Sequence, residues 1–480
     1  METLNSIVGE ISSWVWGLPT IMLLLGTHIF LTIRLRFPQR HILKAIKLSF
    51  SKDKDAEGEV SQFGALATAL AATIGTGNIV GVGTAIALGG PGAVFWCWIT
   101  GVLGMSTKYA EGLLAVKYRV NSEGRMLGGP MYAIENGLAN THRGIARWFW
   151  KLMAVAFAFF TAIATFGIGS TVQANAISTM SQQTMGVSPV VIGGIITILA
   201  AAVIMGGVKS IARCCQTLVP LMAAIYILGC ITILIMNSHY LWPAVKLIVH
   251  SAFNPAAAGA GFLGTTIMMT ARYGIARGLF SNESGMGSAP IIAASAQTKN
   301  PVRQALVSSS GTFWDTVVIC AITGITIVSS ILAYPDINVS DGGELTKMAF
   351  SKIPYVGTPL LVFGSLTFAF STILGWCIYG ERGMEYIASK LIRRFKRARG
   401  QEPTAAYMEH RLRAVNNTYR VLFLITVYLG AVISLDLVWN MADIFNALMA
   451  IPNLLCLLFL SGVIVKETRK YLWNEKSCEC

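Results

Sequence analysis

Between Ala71 and Gly81 the chain reads Ala-Ala-Thr-Ile-Gly-Thr-Gly-Asn-Ile-Val-Gly, inside an apolar stretch long enough to cross a bilayer. Thr73, Thr76 and Asn78 bring oxygens and amide donors to that depth, and Gly75 and Gly77 weaken the helix that carries them. Unwound backbone in hydrocarbon leaves N–H and C=O groups without partners, so it persists where it lines a site enclosed by protein. The chemistry open to such groups is binding. Carbonyl and hydroxyl oxygens suit a hard cation, and the free N–H groups of a resuming half-helix suit a carboxylate. One break offering both would hold a cation and a zwitterion side by side. Asn78 either lines this gap or serves only as a cap for the helix resuming at Ile79.

A second polar patch, Ser281-Asn-Glu-Ser-Gly-Met-Gly-Ser-Ala-Pro290, interrupts another apolar segment further on. Phe280 before it either closes a pocket or packs in the core. Ser281 and Asn282 are polar at depth. Glu283 is an intramembrane carboxylate that needs a partner or a proton; Arg277 and Arg272 are the expected partners, and proton coupling is the other reading. Gln173 and Asn175, two residues apart on a helix, face different directions, so one can face a pocket while the other bonds a neighbouring helix. Ser371 and Thr372 lie mid-span with Trp376 one turn on; their hydroxyls either meet a ligand or bond back to their own helix. Glu381-Arg382 reads either as a gate or as snorkelling charges.

The elements that must hold these residues follow from composition. Of 480 residues, 54% are hydrophobic and 12% charged, where a soluble chain averages about 25% charged. The fold class is an all-α polytopic membrane protein. Eleven spans are expected, at 14–34, 63–88, 92–116, 151–181, 188–206, 214–236, 257–297 (broken), 304–333, 356–380, 419–435 and 439–465. With the N-terminus outside, 32 of the 37 Lys and Arg fall on the inner side, Lys108 to Lys151 being counted as one inner loop, which is the charge bias of cytoplasmic loops. The net charge of +14 is therefore a topology signal and an attraction to anionic lipid rather than a nucleic-acid surface.

The organisation expected is an N-terminal peripheral helix with a basic loop (1–62), a first five-helix repeat (63–236), a second (237–465) and a cytoplasmic tail (466–480). Each repeat opens with a broken helix and the second is inverted, which is the sequence pattern of a secondary transporter. The two breaks and the topology alone carry that inference. Gly77, Gly81, Ala85 and Gly89 form a small-residue stripe for close helix contact. Trp14, Trp16, Trp148, Trp150, Trp242 and Trp439 lie near span ends as interface anchors. Gly128–Gly137 reads as an interfacial turn, 334–355 as a lid, and 381–418 as a solvated or lipid-facing basic helix.

Several classes are disfavoured. No Gly-x-x-x-x-Gly-Lys-Ser/Thr loop is present, so neither ATP nor an ATP-hydrolysing subunit is expected. Gly75–Gly81 fails the dinucleotide spacing, no His-Glu-x-x-His occurs, and no nucleophile–base pair is apparent, so an enzyme is not expected. Cys97, Cys230, Cys320, Cys377 and Cys456 fall in apolar segments and read as small hydrophobes. Cys214, Cys215, Cys478 and Cys480 lie near the inner side, where thiols stay reduced. The only early charges are Glu2 and Glu10, so no cleavable signal peptide is expected.

Residues 71–96, with Gly128-Gly-Pro-Met-Tyr132, Arg277-Gly-Leu-Phe-Ser-Asn-Glu-Ser-Gly-Met-Gly-Ser-Ala-Pro290 and Leu374-Gly-Trp-Cys-Ile-Tyr-Gly-Glu-Arg382, resemble the alanine/glycine:cation symporter family. Ser284 stands where that family usually has alanine. The resemblance implies a leucine-transporter-like core of 5+5 inverted repeats, of the amino acid–polyamine–organocation superfamily. It implies uptake of small neutral amino acids across the cell (inner) membrane by alternating access, driven by Na⁺ or by H⁺, with no cofactor. Alanine and glycine are the expected substrates and glutamine the runner-up; a channel or transporter-like sensor is the rival from another class. By analogy with that fold, Na⁺ would meet carbonyls of Ala71, Ile74 and Phe368 and hydroxyls of Ser371 and Thr372. A second cation position would use Thr73 and Asn78. The substrate carboxylate would meet Gly75, Thr76, Gly77 and Asn78, and its amino group the carbonyls around Phe280, Ser281 and Asn282. Gln173 and Trp376 would shape the side-chain space.

Overall fold

The computed structural model describes residues 2–51, 53, 56–122, 124–254, 266–433 and 436–473. The opening of the seventh expected span (257–265), Cys478 and Cys480 lie outside the described residues, as does the side chain of Trp439. The described residues are helical apart from connecting loops and one short hairpin, Val120–Ser122 with Arg125–Leu127. Gly144–Met185, Gly207–Met236, Pro301–Ala333, Gly357–Ala398 and Asn440–Phe459 are each long and apolar enough to cross a membrane. Two bent pairs, Leu18–Arg34 with Pro38–Ser49 and Gln62–Thr73 with Gly77–Gly89, raise the count to as many as seven. The other expected spans fall on Ala93–Lys117, Pro189–Ile204, Ile267–Asn282 and Ala405–Val432, where length or charge sets them below that standard. Ser238–Phe253 is a further helix outside the expected spans.

The first broken helix opens at Ser61, whose hydroxyl accepts the Gly64 N–H at 3.0 Å and so caps a free donor. It runs Gln62–Thr73, stops at Ile74 in extended backbone, and resumes as a wide turn, Gly77–Gly81, leading into Val82–Gly89. The halves are bent by 53°. The glycine stripe explains where the second half goes. A Cβ on Gly77 would lie 3.4 Å from the Phe280 ring, one on Gly81 4.0 Å from Arg277, and one on Gly89 3.2 Å from Tyr273. All three neighbours belong to Ile267–Asn282, so the stripe seats one broken helix against the other.

The second broken helix opens with Thr266 capping Met269 and runs to Asn282; a short helix, Ala289–Ala293, follows the gap. Between them Glu283, Gly285 and Gly287 have φ of 51°, 89° and 84°. Only glycine adopts that region freely, so the Glu283 backbone is held by its surroundings. They are specific. The Lys108 ammonium donates to the Glu283 carbonyl at 3.2 Å. One Glu111 oxygen accepts the Gly285 and Gly287 N–H groups at 3.1 Å each, and Asn453 donates to the Gly285 carbonyl at 2.9 Å. Unwound peptide groups are thus satisfied by side chains of other helices, as a non-aqueous setting requires.

Four sequence expectations are corrected here. Glu283 is not paired with Arg277 or Arg272. Its side chain accepts from Ser288 at 2.5 Å, its charged neighbour is Lys108, and Arg277 faces Asp443. Lys108 belongs to no loop, because it projects from the middle of Ala93–Lys117 into the core. The Gly128–Gly137 stretch is not interfacial: Met131, Ala133 and Ile134 are buried, and Pro130 packs beneath Gly287. Trp150 is buried against Phe459 rather than anchored at an interface, whereas Trp14, Trp148 and Trp242 are exposed. The described cysteines other than Cys214 are buried, and all of them are free thiols.

Candidate functional site

At the first break Asn78 replaces helix hydrogen bonding with its own side chain. Its Oδ1 accepts the Gly75 N–H at 2.9 Å, the donor that would otherwise continue the ladder to Ala71. The Ala71 carbonyl is left facing outward from the helix end. Two hydroxyls from Gly357–Ala398 meet it: Ser371 Oγ and Thr372 Oγ1, each at 3.1 Å. The same hydroxyls donate to the Phe368 carbonyl at 2.8 and 3.0 Å. Four oxygens from two helices therefore converge on one point. Ile74 ends the half-helix beside them, and a Cβ on Gly75 would lie 2.9 Å from Thr372 Oγ1. The hydroxyls bond back to their own helix, as one of the two sequence readings has it, and also reach across to the break.

Around Gly75 the remaining expected residues gather. Gln173 is buried; its Nε2 donates to the Ile168 carbonyl at 3.1 Å. Its Oε1 has no hydrogen-bond partner among the described residues and lies 3.9 Å from where a Gly75 Cβ would be. Asn175 points elsewhere, into a cavity of about 320 Å³ beside Thr426 and Phe445. Trp376 is fully buried, packed over Gly169 and edge-on to Tyr379, with its indole N–H unpartnered. Thr76 is half-buried at the start of the wide turn. Phe280 lies against Gly77, Ser281 follows at 3.5 Å from the same point, and Asn282 has an unpartnered buried Nδ2.

Asp315 joins the two breaks, and sequence reading missed it. Asn78 Nδ2 donates to Asp315 Oδ1 at 2.8 Å; Ser281 Oγ donates to Oδ2 at 2.9 Å, and Thr316 Oγ1 to the same oxygen at 2.6 Å. Cys320 touches Asn78 and Ser281 at 3.3 Å, so this thiol is part of a polar junction rather than a filler. All of these residues are buried. A lone carboxylate within the apolar run 304–333 was the available signal.

Thr73 sits apart from that junction. Its hydroxyl donates back to Ala69 and Leu70 at 3.2 and 3.4 Å. It lines a cavity of about 20 Å³ shared with Lys108, Asn282 and Gln304. An ammonium in the wall of so small a space opposes a second cation there.

Covers lie on both sides. Thr346, in the short helix Leu345–Phe350 of the loop expected to be a lid, donates to the Ile79 carbonyl at 2.8 Å. Gly342 in that loop packs against Gly83. At the other end Arg382 pairs with Glu59 at 2.7 Å and Glu385 at 3.1 Å, while Arg420 grips Glu381 with two bonds of 2.7 and 2.8 Å.

Two interrupted helices meeting around oxygens and unpartnered amides describe a membrane transporter. The chain belongs to the sodium:alanine symporter family, whose profile it matches over residues 1–479. It is 48% identical over 472 residues to the sodium/alanine symporter AgcS of Methanococcus maripaludis, covering 97% of each chain. It is 34% identical to the probable sodium/glutamine symporter GlnT of Bacillus subtilis, covering 99% of this chain and 92% of that one. Among solved structures, a Na⁺-coupled sialic acid symporter in its substrate-bound outward-open state shares the fold. Its TM-score is 0.52 at 12% identity, covering 87% of this chain and 82% of the other.

Proposed function

We propose that this multi-pass membrane protein is a Na⁺-coupled symporter of alanine and glycine, working by alternating access in the cell (inner) membrane. The N-terminus lies outside and the C-terminus in the cytoplasm. The observation that carries the reading is the convergence of the Ala71 and Phe368 carbonyls with the Ser371 and Thr372 hydroxyls at the first break. Oxygen donors suit Na⁺, and Ile74 completes the set from the same helix end.

The substrate carboxylate meets the backbone of Gly75, Thr76 and Gly77 with Asn78 behind it, and the ammonium meets the carbonyls of Phe280, Ser281 and Asn282. Gln173 and Trp376 bound the side-chain space. A relative at 48% identity carrying the name of a sodium/alanine symporter supports the choice of alanine. We place a second cation at Asp315 and Asn78 rather than at Thr73, because Asp315 brings a carboxylate beside Asn78 and Thr73 brings only a hydroxyl.

Uphill uptake of labelled alanine into proteoliposomes under an inward Na⁺ gradient tests the reading. Accumulation above the external concentration, competed by glycine and weakly by glutamine, is expected. Mere equilibration would identify a channel, no movement a sensor, and drive by a proton gradient alone would replace Na⁺ with H⁺.

A further inference from the structure

The helix Gly357–Ala398 is about 63 Å long, roughly twice the thickness of a hydrocarbon core. Its end turns at Arg399 and Gly400 into Ala405–Val432, capped by Thr404. Between the two helices lies a cleft of about 530 Å³. Its two ends differ in character. Toward the membrane the walls are apolar, with Met384 and Leu422, and Ile392 and Val415 continue them toward the turn. Leu422 continues into an exposed stripe of Ile425 and Leu429 on the same helix, three and seven residues on, which is a lipid-facing spacing. Toward the turn the lining residues are Lys396, Arg399 and Arg411 around Tyr407, and no lining residue is acidic.

The charges there are not balanced by the protein. Lys396 and Arg411 both lie over the Tyr407 ring, at 4.5 and 5.4 Å. Lys396 donates to the neutral amide of Gln401 at 3.0 Å. The nearby carboxylates are engaged outside the cleft, Glu402 by Arg397 and Glu409 by Arg413, each at 2.8 Å. Cations converging on one ring without a carboxylate call for an anion. An inorganic anion would satisfy the charge but leave the apolar half of the cleft unfilled. From Arg411 to Leu422 the helix rises about 16 Å, enough to set a phosphate at one end and acyl chains at the other.

We propose that this cleft binds one anionic phospholipid, with its phosphate held by Lys396, Arg399 and Arg411 and its acyl chains along Met384 and Leu422. A basic cleft between membrane helices at the cytoplasmic boundary matches that ligand by charge and by length. The site lies away from the helix breaks, and its test does not depend on the substrate or on transport.

The purified full-length chain is examined by native mass spectrometry in detergent with added phosphatidylglycerol or phosphatidylcholine. Wild type is expected to retain one phosphatidylglycerol per chain and no phosphatidylcholine. The variant K396Q/R399Q/R411Q is expected to bind it on the order of 100-fold more weakly. The variant R393Q/R394Q removes charge from the same helix outside the cleft and is expected to bind as wild type does. Melting temperatures without added lipid confirm that both variants fold. Equal retention of the two lipids would overturn the proposal, as would equal weakening in both variants, displacement of the lipid by millimolar inorganic phosphate, or a dimer of the chain in place of bound lipid.

Discussion

Arg382 and Glu59 lie 2.7 Å apart, 323 residues distant in sequence, and both side chains are more than nine-tenths buried. Glu59 stands just before the first broken helix and Arg382 ten residues beyond Thr372, so the pair ties together the two elements that carry the proposed cation site. Glu385 shares the same guanidinium, and Arg125 of the hairpin contacts Glu385 at 2.8 Å. On the reading of this pair as a gate, a tie that opens for release has to be strong yet replaceable by water, as an ion pair is and a packed core is not. Removing one partner of a buried pair costs about 3–5 kcal/mol because the other charge is stranded. Arg382→Gln is expected to lower the melting temperature clearly and Glu59→Gln less, since Glu385 still holds the arginine. The double variant should show a coupling energy above about 1 kcal/mol. A coupling near zero in thermal melts would remove this pair from the gate.

Thr372 supplies a hydroxyl to the Ala71 carbonyl and, on the proposed reading, to Na⁺. Thr372→Ala is expected to raise the Na⁺ concentration for half-maximal alanine uptake roughly tenfold, because a hydrogen bond or ligand contact to a charge contributes about 1.5–3 kcal/mol. Thr372→Ser keeps the oxygen and should stay near wild type. Uptake measured against a Na⁺ series distinguishes the two. An alanine variant with unchanged Na⁺ dependence would take Thr372 out of the cation shell.

What the sequence made legible was whatever violates the rules of hydrocarbon. Glycines and hydroxyls in an apolar run marked both breaks, because unsatisfied backbone has few structural excuses there. Ser371 and Thr372 were readable for the same reason. Asp315 obeyed the same logic and was passed over, because its apolar flanks looked like an ordinary span. Lys108 was assigned to a loop because charge bias was counted by sequence position, and position along a helix does not reveal depth. The partners of Glu283 were out of reach for a different reason. A local search favours Arg277, six residues away, but the contact is made by Lys108 and the backbone by Glu111 and Asn453, from helices far apart in sequence. The inner extension of Gly357–Ala398 was read as a basic loop helix, and its fusion to the span escaped because nothing between Gly380 and Gly383 breaks it.

On the proposed reading Gly75 leaves the space that the substrate needs. A Cβ there would lie 2.9 Å from Thr372 Oγ1 and near Gln173 Oε1, tight enough that the hydroxyl must move. Gly75→Ala is expected to reduce alanine uptake at least tenfold while the chain stays folded, since the residue sits in a break rather than in a packed helix. Alanine should also lose its ability to raise the melting temperature, which wild type gains by mass action. Retained uptake together with a retained thermal shift would place the substrate elsewhere.

Asp315 is the remaining test, because it separates a bridge from a binding site. As a bridge it accepts from Asn78 and Ser281 and holds the two breaks together. Asp315→Asn keeps the shape and most of that hydrogen bonding but loses the charge. If the carboxylate draws a second cation, Asp315→Asn should raise the Na⁺ requirement and lower the steepness of the Na⁺ dependence toward that of a single ion. Asn78→Ala should abolish uptake, because it removes the acceptor that keeps Gly75 unwound as well as the link to Asp315. A melting curve for each variant guards against simple unfolding. If Asp315→Asn leaves both the Na⁺ requirement and its steepness unchanged while Thr372→Ala shifts them, the carboxylate is a structural bridge only and a second cation site there is excluded.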